Sequence, residues 1–192
     1  MDSLLPKAPA AIGCTVDHCQ QNNLFATVPS PPGEIHIHCY PDRCFPTSIV
    51  AAALRSAAQG INVMFAQLLA NGPEQGPDLP IHLGPCFFWV RPALTRTVEH
   101  SMLGETERRA VVAMWQYLLV RSGTFDLIVL DEIGLAIHLG LLCEQDVARF
   151  LITRPPHQDV VLCGSAIPAS FERLASHWTE SRSSEYSEEL RL

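Results

Sequence analysis

Lysine is almost missing from this chain: Lys7 is the one lysine among thirteen basic side chains, the other twelve being arginines, in 192 residues. Chemistry that needs a lysine ammonium must therefore draw on the N-terminal arm. Positive charge is also scarce as a whole. A net charge of −7 and a pI near 5.5 exclude a general affinity for nucleic acid or for an anionic membrane surface, because both rest on clustered Lys and Arg. No apolar run reaches the roughly 18 residues of a membrane span, and the first twenty residues show no basic segment leading into a long apolar one. A cytosolic location is expected. The seven cysteines, odd in number and scattered from Cys14 to Cys163, do not read as a secreted disulfide framework.

What is present is enough apolar material for a core. Hydrophobic residues make up 47% of the chain and charged residues 17%, which separates it from disordered sequences and suits one domain. Residues 1–33 carry Pro6, Pro9, Pro29, Pro31 and Pro32 and read as an arm with little regular structure. Residues 183–192 read as a polar, acidic tail, with Glu185, Glu188 and Glu189.

Between these ends, strand and helix patterns alternate. Ile35, Ile37 and Cys39 alternate with His36 and His38 in the period of a strand. The Ala-rich run 47–59 reads as a helix with Thr47 as its N-cap and Gly60 as its stop. Residues 61–67 and 86–90 predict two more strands, with a loop over 71–80. Residues 105–121 predict a long amphipathic helix. Residues 125–132 then form a nearly continuous apolar run ending in Asp131 and Glu132, as expected of a central parallel strand covered on both faces. Helices over 133–138 and 144–153, a strand over 159–163, a short helix over 169–175 and an edge strand over 177–180 complete the pattern. The alternation predicts an α/β fold: a doubly wound, mainly parallel sheet with helices on both faces.

A strand, a loop, a helix opening on Thr and a later apolar strand ending in Asp-Glu is the layout of a P-loop nucleotide-binding domain of RecA-like type. The order and spacing of further segments narrow this. The LDE strand, the Arg154-Pro155 turn, the loop at Gly164-Ser165-Ala166-Ile167-Pro168 and the final Thr179-Glu180-Ser181-Arg182 resemble the ATP:corrinoid adenosyltransferase family, as do ALRSAAQG at 53–60 and VMFAQLLANG at 63–72. The resemblance covers about residues 34–182. It implies a dimer-forming α/β domain that binds ATP with Mg²⁺ and a reduced corrinoid, and transfers the adenosyl group to cobalt.

The phosphate loop departs from that pattern. A working loop uses glycines to bring backbone N–H groups onto phosphate, a lysine for charge and a hydroxyl for Mg²⁺. Here it reads Tyr40-Pro41-Asp42-Arg43-Cys44-Phe45-Pro46-Thr47, without a glycine. Aligned from the helix, Cys44 stands at the last glycine, Phe45 at the lysine and Pro46 at the first hydroxyl position; Thr47 alone survives. Ala70 and Ser165 stand where the family carries a further lysine and arginine. Charge-assisted hydrogen bonds to phosphate contribute about 1.5–3 kcal/mol each, so three lost cations remove roughly 5 kcal/mol of binding or more.

These residues leave two main readings. In the first, the chain is a non-catalytic family member that serves as a binding, regulatory or assembly module, with an unspecified protein partner or itself as a homodimer. In the second, it is an active adenosyltransferase in which Arg43 replaces the missing cations and Asp131 or Glu132 holds Mg²⁺, with Cys44, Phe45, Thr47, Gly164 and Ser165 lining the nucleotide. A variant keeps the pocket for a less charged ligand, a nucleoside or a corrinoid, against Tyr40, Cys44 and Phe45. The bland alternatives are a turn arginine paired with Asp42 or solvent, and carboxylates that hydrogen-bond the altered loop. Phe88 and Trp89 read as core. His36, His38, Cys39 and Cys44, with Cys14, His18 and Cys19, are zinc-type ligands, but their spacing fits no established pattern, and His36 and His38 share a strand face opposite Cys39. Cys44 beside Arg43 could be a lowered-pKa thiol, yet no base accompanies it.

Overall fold

The apolar runs predicted as strands assemble into one seven-stranded sheet in the computed structural model, which describes residues 32–41, 43, 45–69, 81–94 and 104–181. The chain divides into two units, Met1–Ser30 and Pro31–Leu192, and every described residue belongs to the second. The expected arm, the loop over 71–80 and the acidic tail lie outside the described residues, apart from Pro32 and Gly33.

The strands are β1 (Ile35–Cys39), β2 (Val63–Gln67), β3 (Ile81–His82), β4 (Phe87–Val90), β5 (Leu127–Asp131), β6 (Asp159–Gly164) and β7 (His177–Glu180). Their order across the sheet is β3-β4-β2-β5-β6-β1-β7. All neighbours run parallel except β3, which pairs antiparallel with β4. The helices are α1 (Thr47–Ala58), α2 (Glu105–Arg121), α3 (Ile133–His138) and α4 (Glu144–Thr153), with 3-10 turns at Ser122–Thr124 and Ala169–Leu174.

Strand side chains alternate between the two sheet faces, and the core divides accordingly. Met64, Ala66, Ile128, Leu130, Val160 and Leu162 join Val111, Trp115 and Leu118 of α2 and Val147, Phe150 and Leu151 of α4 in one cluster. Val63, Phe65, Phe87, Trp89, Val129 and Cys163 point the other way, against Ile49, Val50 and Ala53 of α1. Central strands β2 and β5 are apolar up to their last residues, Gln67 and Asp131, because both faces are covered, and each Phe or Leu so buried contributes about 1.5–3 kcal/mol. Phe88 and Trp89 are core residues, as expected.

Several local expectations need correction. Thr47 is the first helical residue of α1, Pro46 holds the N-cap position, and no side chain caps the helix. The second strand begins at Val63, since Ile61 remains 39% exposed after the turn at Gly60. The two-residue strand β3 has no sequence signal of its own, being too short to show a period. Residues 169–174 form a 3-10 helix, fitting the tighter connection between Pro168 and β7.

Candidate functional site

Parallel strands all present their carboxyl ends to one side, so β1, β6, β5 and β2 end together, in Cys39, Gly164, Asp131 and Gln67. In open α/β sheets, the crevice beyond these ends is where ligands bind. Register sets Asp131 between two neighbours, opposite Gln67 on β2 and Cys163 on β6. The Cys163 thiol lies 3.5 Å from Asp131 Oδ1. The Gln67 side chain is wholly buried and close enough to favour the ionised Asp131, although its amide finds no partner of regular hydrogen-bond geometry.

Burial dominates the electrostatics. Asp131 is 2% exposed, and desolvation, with the Glu132 charge beside it, raises its pKa to about 7. Glu132 is equally buried, and desolvation raises its pKa too, opposed chiefly by Arg43. Its backbone sits in the left-handed region, φ 60°, at the N-terminus of α3, with its N–H donating to the Cys163 carbonyl at 2.8 Å. That conformation directs the carboxylate at Ser165, whose hydroxyl lies 3.3 Å from Oε2 and whose backbone N–H lies 3.5 Å from it.

Two glycines allow this close assembly. Gly164 has φ +123°, and a Cβ there would sit 2.8 Å from Glu132 Cα; one on Gly134 would sit 2.4 Å from the Ser165 carbonyl oxygen. The loop after β6 can therefore lie directly on the start of α3. The Tyr40 N–H donates to the Gly164 carbonyl at 3.1 Å, which brings the segment after β1 to the same place.

Arg43 does not behave as an exposed turn residue. Its side chain is 15% exposed, and Nε lies 3.6 Å from Glu132 Oε1. Phe45, at the position of the family's lysine, turns into the core and stacks on Trp89 with ring centroids 6.3 Å apart. Thr47 is exposed. Of the expected site residues, the fold thus brings Arg43, Asp131, Glu132, Gly164 and Ser165 together and directs Phe45 away; Cys44, Asp42 and Ala70 lie outside the described residues. Gln67 and Cys163 were missed by sequence reading, since only the strand register sets them beside Asp131.

The sequence pattern of the ATP:corrinoid adenosyltransferases BtuR/CobO/CobP matches residues 32–188. This chain belongs to that family. The adenosyltransferase match takes in every described element of the sheet, and no curated protein matches the chain. No helix among the described residues is long and apolar enough to cross a membrane.

Proposed function

We propose that this member of the adenosyltransferase family is non-catalytic and serves as a binding, regulatory or assembly module built on the family's sheet. The observation that carries the reading is the ion pair between Arg43 and Glu132: the cation of the altered loop faces a buried carboxylate. To bind a triphosphate there, Arg43 would have to leave Glu132, and the uncompensated carboxylate would then stand beside the incoming anion. Pro41 and Pro46 offer no backbone N–H to phosphate. Phe45 contributes ring area to the core instead of charge to the crevice.

The residues present therefore fit a Mg²⁺-triphosphate group poorly. Asp131 could reach a metal only after losing the proton that burial favours, and Glu132 only after giving up its contact to Arg43. An altered but active ATP site is the rival, with Arg43 as phosphate ligand. Calorimetric titration with MgATP separates the two. No binding heat is expected up to millimolar nucleotide, and clear micromolar binding would overturn the proposal. A homodimer accompanies the reading by family likeness, and a cytosolic location by composition; sedimentation giving a monomer at tens of micromolar protein counts against the dimer.

A further inference from the structure

The fold joins residues that the sequence keeps far apart at the opposite pole of the sheet from the crevice. Glu34 and His36 are two positions apart at the start of β1 and project from one face, and the β1–β7 register sets His177 directly beside His36. The Nε2 atom of His36 lies 2.9 Å from Glu34 Oε2, and that of His177 lies 3.5 Å from the same oxygen. The two imidazoles stack with centroids 4.7 Å apart and planes 28° from parallel. All three donor atoms lie within 4.8 Å of one another, and among the described residues no other His, Cys, Asp or Glu trio converges in this way.

We propose that Glu34, His36 and His177 form a binding site for a divalent transition-metal ion of the zinc type. Two imidazole nitrogens and one carboxylate oxygen are the donor set of three-ligand metal centres with open positions for water. A tetrahedral ion bound at about 2.0–2.1 Å separates its ligand atoms by roughly 3.3 Å. The 2.9 and 3.5 Å separations from the carboxylate oxygen bracket that value, and the two imidazole nitrogens lie within 4.8 Å of each other, so modest side-chain rotations close the set.

The backbone beneath the trio is already fixed. The Glu34 N–H donates to Asp159 Oδ1 at 2.8 Å, the Ile35 N–H to Ser176 Oγ at 3.2 Å, and the Ser176 N–H to the Ile35 carbonyl at 2.8 Å. The site is also accessible, with the three side chains 34–61% exposed. His36 and His38 drew attention in the sequence as ligand types, but His38 lies further along the strand; the partners of His36 are Glu34 and His177. A bound ion would tie edge strand β7, held in the sheet from one side only, to β1.

The test is calorimetric titration of the metal-stripped full-length protein with Zn²⁺ alone, paired with thermal melts and with visible spectra of the Co²⁺ form. One equivalent is expected to bind, raise the melting temperature, and give the intense ligand-field bands of cobalt with fewer than six ligands. His177→Ala, His36→Gln and Glu34→Gln should each weaken binding by ~10-fold or more, since even residues that only support metal ligands typically cost 10–100-fold. Circular dichroism checks that each variant is folded, and two independent folded variants suffice. Cys14→Ala/His18→Ala/Cys19→Ala should leave the affinity unchanged. The proposal is overturned if no equivalent binds, if binding follows the arm cysteines instead, or if folded His177→Ala and Glu34→Gln bind as the parent does.

Discussion

At Asp131 burial outweighs hydrogen bonding, and the result is a carboxyl that protonates near neutral pH. An unfolded chain releases this proton near pH 4, the folded one near 7, so between those values the native state holds the extra proton and stability falls as pH rises. Above about pH 7 the loss levels off. Asp131→Asn should remove that dependence and stabilise the protein at pH 8, by on the order of 4 kcal/mol at most, as read from denaturant midpoints across pH 4–8. Arg43 has the opposite effect on its neighbour, favouring the ionised form of Glu132. Arg43→Met should cost about 3–5 kcal/mol at pH 8, because it strands a buried carboxylate. The deficit should shrink on acidification as Glu132 takes up a proton, and Arg43→Met/Glu132→Gln should recover most of it. A deficit that is independent of pH would mean that Arg43 acts by packing alone. Sequence reading singled out all three residues but offered Arg43 phosphate, Asp42 or solvent as partners, and not Glu132. The Glu132 pairing depends on the left-handed backbone at that residue, which no local pattern discloses in a non-glycine.

At the scale of elements, the Arg-Pro turn after α4 serves packing. Arg154 donates to the carbonyls of Leu151 at 2.5 Å, Gly33 at 2.9 Å and Gln158 at 3.0 Å, joining the end of α4, the approach to β6 and the approach to β1. Gln158, fully buried, continues the connection to Ser122 and Phe125, each at 2.7 Å. Arg154→Ala should cost about 2–3 kcal/mol, since charged donors to carbonyls are worth more than neutral ones, and chemical denaturation would measure it; a loss under 0.5 kcal/mol would show that solvent replaces those bonds. Gly134→Ala should cost about 1–3 kcal/mol through overpacking against the Ser165 carbonyl, whereas Gly123, with open space at its Cβ position, should tolerate alanine. The strands and helices themselves were readable because their periods are strong: α2 and α4 begin and end where apolar spacing placed them. β3 was not, since its two residues take their conformation from β4.

For the whole molecule, alternation along the chain disclosed the doubly wound architecture, while the strand order and the residues it juxtaposes came only from the fold. Each His and Glu at the sheet's far pole was visible as a letter, but a trio drawn from positions 34, 36 and 177 depends on β7 joining β1 and not β3. The two cores are also unequal. Helices α2 and α4 shield one side of the sheet, whereas α1 adheres through Ile49, Val50 and Ala53, with neither an acidic residue in its first turn nor a capping side chain. A segment so lightly fastened is the cheapest to detach, and native-state exchange should find its amides opening well below the global unfolding free energy. Because α1 directly follows the altered loop, any molecule gripping the crevice would slow that exchange, making α1 a built-in reporter for partners whose identity need not be known beforehand.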